Sequence, residues 1–266
     1  MTVYESLDAF FAATAWKMVT PPSYGVFHLA FFFVGLALSI FFAWKLRNLG
    51  DKGNRILLLS IGIFLVAAEI YKQLFYFFYI EGGSYAWWIF PFQLCSVPMY
   101  LCIIAPLLKP GKVPRAMYDF MMLYNLLGGF ISFFEPSGLM HEYVTLTLHA
   151  CIWHMLLVFV GLYLWLSGRA GCDKKDYRSA TVMFLMLCVV AFCINLIFWE
   201  ASAGDINMFF IGPKNSSIIV FSTIAETFGW YVSTALYIPC LCLGTYLILL
   251  PMRHFSKRRQ KMCCGT

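Results

Sequence analysis

Residues 24–55 read YGVFHLAFFFVGLALSIFFAWKLRNLGDKGNR, an apolar run followed by a stretch with four cations. A run of about 20 apolar residues is long enough to cross the hydrocarbon core of a bilayer as a helix. Lysine and arginine close to the end of such a helix favour the cytoplasmic side. The stretch therefore predicts a transmembrane helix whose carboxyl end faces the cytoplasm.

This pattern recurs along the chain, which has apolar runs at roughly 24–44, 56–80, 87–108, 116–134, 143–166, 179–199 and 226–250. Sixteen of the nineteen lysines and arginines fall in four stretches, which follow the first, third, fifth and seventh runs. These stretches alternate with acidic connections, so all four are expected on the cytoplasmic side. The sequence predicts an all-α membrane protein with seven transmembrane helices, its N-terminus outside and its C-terminus inside.

Composition agrees with this fold class. The chain is 61% hydrophobic and 12% charged, with a mean hydropathy of +0.76, which excludes a soluble domain of this length. The net charge of +6 resides in the cytoplasmic loops, where anionic lipids attract it. We expect membrane lipids as partners, no nucleic acid, and the plasma membrane as the location. Oligomeric state leaves no signal in the sequence.

Three regions are predicted. Residues 1–23 form an interfacial amphipathic helix, because apolar residues such as Leu7 and Phe11 recur at helical spacing until Pro21 and Pro22 end the pattern. Residues 24–250 form the seven-helix transmembrane domain. Residues 251–266 form a basic cytoplasmic tail.

Polar residues inside the apolar runs point to a site, because burying them in hydrocarbon is costly unless they face a bundle interior or a cavity. Glu69 and Lys72 share one helical face and can equally form a purely structural pair. Most of the polar side chains fall in the outer half of the membrane, where we expect a polar cavity. The residues predicted to line it are Glu69, Lys72, Asn125, His149, Asn195 and Trp230. For the asparagines, interhelical hydrogen bonding is the competing interpretation.

Two histidines on the fifth predicted helix are the strongest candidates for chemistry. His149 and His154 are five residues apart, about 140° around a helix, so one at most is expected to act at a given site. Cys151 lies one turn before His154. Neither an H-x-x-x-H nor a C-x-x-C spacing is present, so no metal and no cofactor is expected.

The order of motifs along roughly residues 56–250 resembles the YwaF-type bacterial integral membrane family and that family's eukaryotic relative, an ether-phospholipid acyltransferase. The motifs are Glu69-x-x-Lys72, the segment 89–96 (IFPFQLCS), Asn125 with Gly128-Gly129, Phe133-Phe134-Glu135-Pro136, Ile152-Trp153-His154, the segment 205–208 (DINM) and Gly229-Trp230-Tyr231.

The resemblance implies a lipid substrate and assigns roles residue by residue. Cys95 and His154 match the family's cysteine and histidine, whereas Gln93 stands where the usual histidine would be. In the eukaryotic relative the acylated cysteine directly follows the proline, and Phe92 occupies that position here. The catalytic residues implied are then Cys95 as nucleophile, His154 as base, and Gln93 or Asn195 as an oxyanion donor. Cys95 and His154 are expected to lie within direct or one-water contact.

Three functional classes remain open from the sequence. The first is a lipid-modifying enzyme, an acyltransferase or hydrolase acting on a phospholipid or fatty-acyl substrate through Cys95 and His154. The second is a transporter or binding protein for a small polar or lipidic solute. The third, a seven-helix receptor, is the least favoured, because no pair of outer-loop cysteines is present.

Overall fold

The computed structural model of the protein describes residues 2–264, and the side chains of residues 2–258. The α-helices in this range are α1 (Val3–Thr14), α2 (Val26–Leu46), α3 (Asp51–Phe75), α4 (Val97–Ile104), α5 (Lys112–Phe120), α6 (Leu126–Phe134), α7 (Val144–Leu166), α8 (Lys174–Ile197), α9 (Ile219–Phe228) and α10 (Trp230–Cys264). A π-helical turn extends α3 to Ile80, and another joins α5 to α6 over Met121–Asn125.

Six segments within the described residues are long and apolar enough to cross a membrane, judged by length and composition. They are Val26–Leu46, Asp51–Ile80, Lys112–Phe134, Val144–Leu166, Lys174–Ile197 and Trp230–Arg258. These segments match six of the seven predicted runs. The all-α membrane fold is therefore confirmed, whereas the part of the chain that the structure describes contains no seventh continuous span.

The four basic stretches meet at one end of the helical bundle. Arg169 forms an ion pair of 2.9 Å with Asp51, which joins the third basic stretch to the first. Arg115 lies 3.7 Å from Asp176, and Arg253 lies 3.9 Å from Asp173. We call this the basic end of the bundle. At the opposite end, the acidic end, the backbone N–H of Trp88 donates to Asp205.

The prediction of a continuous third helix was wrong. Over the run 87–108, the chain makes a short 3₁₀ turn at Trp87–Ile89, passes through an irregular segment, and only then forms α4. Pro91 has no backbone N–H to continue a helix, and Pro98 takes a position in the first turn of α4, where proline is tolerated. This segment carries the chain back through the bundle. Its polar residues lie on a turn and not on a continuous helix.

The seventh predicted run is also divided. Gly229 has φ +91° and ends α9, after which α10 begins at Trp230. This backbone conformation suits glycine, which has no Cβ to clash. Glu226 is exposed on α9 and does not share a helix with Trp230. Helix α10 continues beyond residue 250, and residues 265–266 of the predicted tail lie outside the described residues.

In the N-terminal region predicted as a helix over residues 1–23, the helix α1 covers only Val3–Thr14, and it packs against α3 at the acidic end of the bundle. A capping box between Thr2 and Glu5 fixes its start. Phe11 is almost completely buried and contacts the ring of Phe75 at 6.3 Å between centroids. The hydroxyl of Tyr71 donates to the Thr14 hydroxyl at 2.8 Å.

Helix α7 packs closely against α6 beside the candidate site. A Cβ at Gly129 of α6 would lie 2.8 Å from the His154 carbonyl oxygen, and one at Gly161 of α7 would lie 2.8 Å from Leu126 Cβ. Glycine at both positions lets α6 and α7 approach closely, as small residues do in membrane helix pairs. This close packing fixes the backbone of α7 at His154.

Candidate functional site

The ion pair between Glu69 and Lys72 is the charged centre of the site. Lys72 Nζ lies 2.9 Å from Glu69 Oε2, and the Glu69 side chain is 6% exposed. Gln73 Nε2 donates both to Glu69 Oε1 and to the Ile89 carbonyl, each at 2.7 Å. The carboxylate is thus held on both oxygens, which fixes the position of the ammonium group.

Cys95 lies on the turn that precedes α4, and two side chains hold this turn. Trp153 Nε1 donates to the Cys95 carbonyl at 2.8 Å, and Asn125 Nδ2 donates to the Leu94 carbonyl at 3.2 Å. The Cys95 thiol lies within electrostatic range of both Lys72 and Glu69. Helices α3 and α7 and the π-helical turn at Asn125 together position this thiol.

The two predicted histidines both lie on α7 and make different contacts. His149 stacks on Trp153 at 5.3 Å between ring centroids and faces the Ala68 carbonyl of α3. His154 Nδ1 lies 2.8 Å from the Ala150 carbonyl of its own helix. Because a carbonyl only accepts, Nδ1 carries the proton, and His154 Nε2 keeps a free lone pair. Both rings are within electrostatic range of Lys72.

We call Glu69, Lys72, Cys95, His149 and His154 the lysine cluster. Glu69 Oε2 has the Lys72 ammonium group as its ion-pair partner, whereas three other buried atoms around the cluster have no hydrogen-bond partner among the described residues: Gln73 Oε1, Asn125 Oδ1 and His149 Nε2. Buried polar atoms are nearly always satisfied, so each exception requires an explanation. The two amide oxygens accept hydrogen bonds, and so does His149 Nε2 when the neutral ring carries its proton on Nδ1, which faces the Ala68 carbonyl. The surroundings of Lys72 therefore suit a ligand that donates hydrogen bonds.

The influence of Lys72 extends to the loop before α7. Burial, the largest cause, and the positive charge of Lys72 both lower the pKa of His141, opposed by a hydrogen bond with the Gly138 backbone. A lowered pKa leaves this histidine neutral at pH 7. His141 therefore adds no second positive charge near Lys72.

Gln93 and Asn195 lie in a different contact network. Gln93 Nε2 donates to the Asn207 carbonyl at 3.0 Å, and Gln93 Oε1 accepts from Phe209 N at 2.9 Å. Asn195 Oδ1 and Nδ2 bind the backbone N–H and C=O of Met208 at 2.6 and 3.0 Å. Asn207 in turn binds the backbone of Gly212 and Lys214. We call Gln93, Asn195 and Asn207 the loop clamp.

The loop clamp holds an unusual backbone. Phe209 and Phe210 both have φ +57°, a left-handed conformation that is strained for residues with a Cβ. Phe209 stacks on Phe92 at 5.8 Å, and on the other side it lies 6.5 Å from Phe184. The ring of Phe92 therefore fills the position beside Pro91 and is part of an aromatic stack.

Trp230, the remaining predicted residue, lies apart from both networks. It lines an open groove of about 360 Å³ on the side of the bundle, between α8 and α10. We call this the lateral groove; it is defined by Cys188, Val189, Phe192, Ile211, Trp230, Tyr231, Thr234, Ala235 and Ile238. The lining is almost entirely apolar, which suits an aliphatic ligand.

Several residues that contact the candidate site were not predicted from the sequence. Helical spacing places Gln73 on the face of Glu69, but only the structure shows that it bonds both the carboxylate and the Ile89 carbonyl. No sequence signal indicates that Trp153 binds Cys95, because the two are 58 positions apart. No group of three metal-ligating side chains occurs in the described part of the chain.

The fold and the buried polar residues define a multi-pass α-helical membrane protein. A family model matches residues 19–249, and the chain belongs to the TMEM164 family. The comparisons with curated proteins and with solved structures gave no match.

Proposed function

We propose that the protein is a membrane-embedded lipid-modifying enzyme, of the acyltransferase or hydrolase type, that acts through the lysine cluster. The observation that carries this proposal is the arrangement of Cys95, His154 and Lys72. Trp153, the residue before His154 on α7, donates to the Cys95 carbonyl at 2.8 Å and so joins the two segments, and the thiol and the imidazole both lie within electrostatic range of the half-buried Lys72 ammonium group. Acyl transfer through a cysteine needs a nucleophile, a base and a positive group for the oxyanion.

The roles follow from the hydrogen bonds. His154 is the general base, because its Nδ1 is occupied by the Ala150 carbonyl and its Nε2 is free. Cys95 is the nucleophile, presented on a turn that Trp153 and Asn125 hold. Lys72 stabilises the thiolate and the oxyanion, and its own position is fixed by Glu69. Gln93 and Asn195 have no role in this mechanism, because the side-chain oxygen and nitrogen of each already bind the loop backbone.

The proposed reaction has two steps. The Cys95 thiol gives its proton to His154 Nε2 while the sulfur attacks the carbonyl carbon of a lipid ester. The resulting oxyanion collapses, the ester C–O bond breaks, and the leaving alkoxide takes the proton from His154. A hydroxyl group of a second lipid, or water, then attacks the thioester and gives its proton to His154, which returns it to the departing thiolate.

The substrate class rests on two further observations. Apolar side chains on the outside of the bundle, such as Val189 and Tyr231, are more than half exposed, so the protein presents an apolar surface on which lipid chains can lie. The motif order resembles that of the YwaF-type family and its ether-phospholipid acyltransferase relative. Because Phe92 fills the position of that relative's nucleophile, this chain would have to use Cys95 instead.

The proposed orientation places the basic end in the cytoplasm and the lysine cluster in the outer half of a plasma membrane. This orientation is best tested with single cysteines introduced at exposed positions that have an ordinary backbone conformation. We expect a membrane-impermeant thiol reagent to label Ser84→Cys and Ser137→Cys from outside, but not Asn48→Cys or Lys109→Cys. All four native side chains are exposed. Labelling of Lys109→Cys from outside would reverse the orientation.

The enzyme is tested with purified protein in lipid nanodiscs, using a phospholipid with an isotope-labelled acyl chain as donor and a lysophospholipid as acceptor. We expect transfer or release of the chain by the parent, and a loss of at least about 100-fold in Cys95→Ala and His154→Ala. Cys240→Ala, which alters an exposed thiol of α10, is the matched control and should keep the parental rate. Equal rates in Cys95→Ala and the parent would refute the proposal.

A second candidate function is the binding or transport of a polar or lipidic solute without covalent chemistry. The unpartnered acceptors Gln73 Oε1, Asn125 Oδ1 and His149 Nε2 favour it, because they fit a bound polar group. This alternative predicts that Lys72→Met abolishes retention of a labelled lysophospholipid during gel filtration, whereas Cys95→Ala retains it and no acyl transfer occurs in the parent.

A further inference from the structure

Residues 3–19 connect the two helices, α3 and α7, that carry most of the lysine cluster. At the end of α1, the Thr14 hydroxyl accepts from the hydroxyl of Tyr71 on α3 at 2.8 Å. Beyond α1, two backbone hydrogen bonds of 2.9 Å pair residues 16–18 in antiparallel fashion with residues 142–144, where α7 begins. We call residues 3–19 the strap, because they bind both helices at the acidic end of the bundle.

A layer of aromatic side chains lies beneath the strap. Among the described side chains of α1, only Phe11 is buried, and its ring packs on Tyr71 at 5.7 Å and on Phe75 at 6.3 Å between centroids. The Phe75 ring in turn contacts the ring of Tyr143, the residue before α7, at 5.5 Å. Leu146 of α7 belongs to the same buried cluster, so the layer extends from α1 across α3 to α7.

Helical spacing places this layer over the lysine cluster. Phe75 is three residues beyond Lys72 on α3, and Leu146 is three residues before His149 on α7. Because α3 runs towards the acidic end and α7 runs away from it, Phe75 and Leu146 lie about one turn nearer that end than the two polar side chains. Both apolar side chains are almost completely buried. The layer therefore closes the interface between α3 and α7 at the acidic end.

The strap is held to the bundle by few contacts. The main ones are the Phe11 ring, the hydrogen bond from Tyr71 and the two backbone bonds to residues 142–144. Other apolar side chains of α1 face outward, since Val3 and Phe10 are 79% and 56% exposed. Segments with few buried apolar contacts open locally at a lower free energy than the core. The strap can therefore detach while α3 and α7 stay intact.

We propose that the strap is a gate that controls access to the lysine cluster from the acidic end. When the strap is attached, the aromatic layer closes the interface between α3 and α7. When it is detached, a ligand reaches Lys72 and the Cys95 thiol between these helices. The inference rests on the proposed function only in taking the lysine cluster as the site that a ligand must reach. Its test is the accessibility of the thiol, which does not require Cys95 to react with a lipid.

A disulfide can lock the strap in its attached position. Lys17 and Tyr143 face each other as a non-hydrogen-bonded pair, whose Cα atoms are typically about 4.5 Å apart, within the range of a disulfide. In the variant Lys17→Cys plus Tyr143→Cys, in lipid nanodiscs, we expect N-ethylmaleimide to modify Cys95 at least about tenfold more slowly after oxidation than after reduction. Mass spectrometry of the digested protein measures the rate. The reduced form is the matched control, because it carries the same two substitutions.

Loosening the strap should have the opposite effect. Phe11→Ala removes the buried ring from the aromatic layer and should speed the modification of Cys95 by at least about fivefold. Phe10→Ala, which alters the neighbouring ring on the exposed side of α1, is the matched control and should leave the rate unchanged. The buried thiol of Cys188 on α8, measured in the same digest, is the internal reference and should react at the parental rate in both variants.

Several results would overturn the inference. One is a Cys95 rate that is the same in the oxidised and reduced proteins, or that Phe11→Ala leaves unchanged. Another is failure of the two introduced cysteines to cross-link. A third is a Cys188 rate that rises in Phe11→Ala as much as the Cys95 rate, since this indicates general loosening of the bundle. A gated thiol in a protein that transfers no acyl chain would refute only the proposed enzyme and leave the gate standing.

Discussion

The lysine cluster and the loop clamp are two polar networks in the same half of the bundle, and they differ in how completely their atoms are paired. In the loop clamp, the amide oxygen and the amide nitrogen of Gln93 both bind backbone atoms, and so do those of Asn195. Around the lysine cluster, three buried acceptors have no partner among the described residues. A satisfied network stabilises a fold, whereas unsatisfied groups persist where function requires them.

Gln93 and Cys95, which the sequence predicts in one site, belong to different networks. Gln93 and Cys95 are two positions apart, yet Gln93 holds the loop at Phe209, while the Cys95 carbonyl accepts from Trp153 and the thiol lies within electrostatic range of Lys72. Variants of the loop clamp should therefore reduce stability, and variants of the lysine cluster should reduce function. The following predictions are ordered from the largest to the smallest expected change in stability.

Lys72→Met should cause the largest loss. It leaves the Glu69 carboxylate, 6% exposed, without its counter-charge, at a cost of about 3 to 5 kcal/mol. The double variant Glu69→Gln plus Lys72→Met removes both charges and should be more stable than Lys72→Met alone. Thermal unfolding in detergent, followed by tryptophan fluorescence, compares the three proteins. If Lys72→Met unfolds at the parental temperature, the pair is solvated and does not form a buried centre.

Asn195→Ala should be the next most damaging, at roughly 1 to 3 kcal/mol, because it leaves the N–H of Met208 unpaired in a buried position and leaves its C=O with only the N–H of Ile211, at 3.4 Å. Asn48→Ala, at an exposed asparagine, is the matched control and should change stability by less than about 0.5 kcal/mol. The same unfolding assay measures both. Equal stability of Asn195→Ala and Asn48→Ala would contradict the structural role of the loop clamp.

His149→Phe should have little effect on stability, within about 1 kcal/mol of the parent. The phenyl ring preserves the stack on Trp153, and the substitution removes the unpaired Nε2 together with the ring's contact with the Ala68 carbonyl. Retention of labelled lysophospholipid should nevertheless fall, since one acceptor around Lys72 is lost. A large loss of stability with unchanged lipid retention would make His149 a member of the structural network.

Much of the fold could be predicted from the sequence, because apolar run length and charge position are local signals. The helices α2, α7 and α8 fall close to their predicted runs, and the four basic stretches meet at one end through contacts such as Arg169 with Asp51. The breaks were not predicted. Pro91 and Gly229 interrupt runs whose hydropathy is continuous, and hydropathy carries no information about backbone conformation.

The candidate site was predictable only in part. The Glu69 and Lys72 pair follows from helical spacing and is present. The separation of Gln93 and Asn195 from the cysteine turn depends on contacts with residues 207–209, and Gln93 and Phe209 are 116 positions apart. Periodicity along one helix cannot reveal which distant loop a side chain meets.

The most direct measurement is the mass of the intact protein after incubation with a phospholipid donor in the absence of acceptor. The proposed chemistry predicts a gain of one acyl chain, located on Cys95, that is removed by neutral hydroxylamine and is absent from Cys95→Ala. His154→Ala should acquire it far more slowly. Acyl transfer by Cys95→Ala at the parental rate, or an acyl group found on another residue in the active parent, would contradict the assignment of Cys95 as the nucleophile.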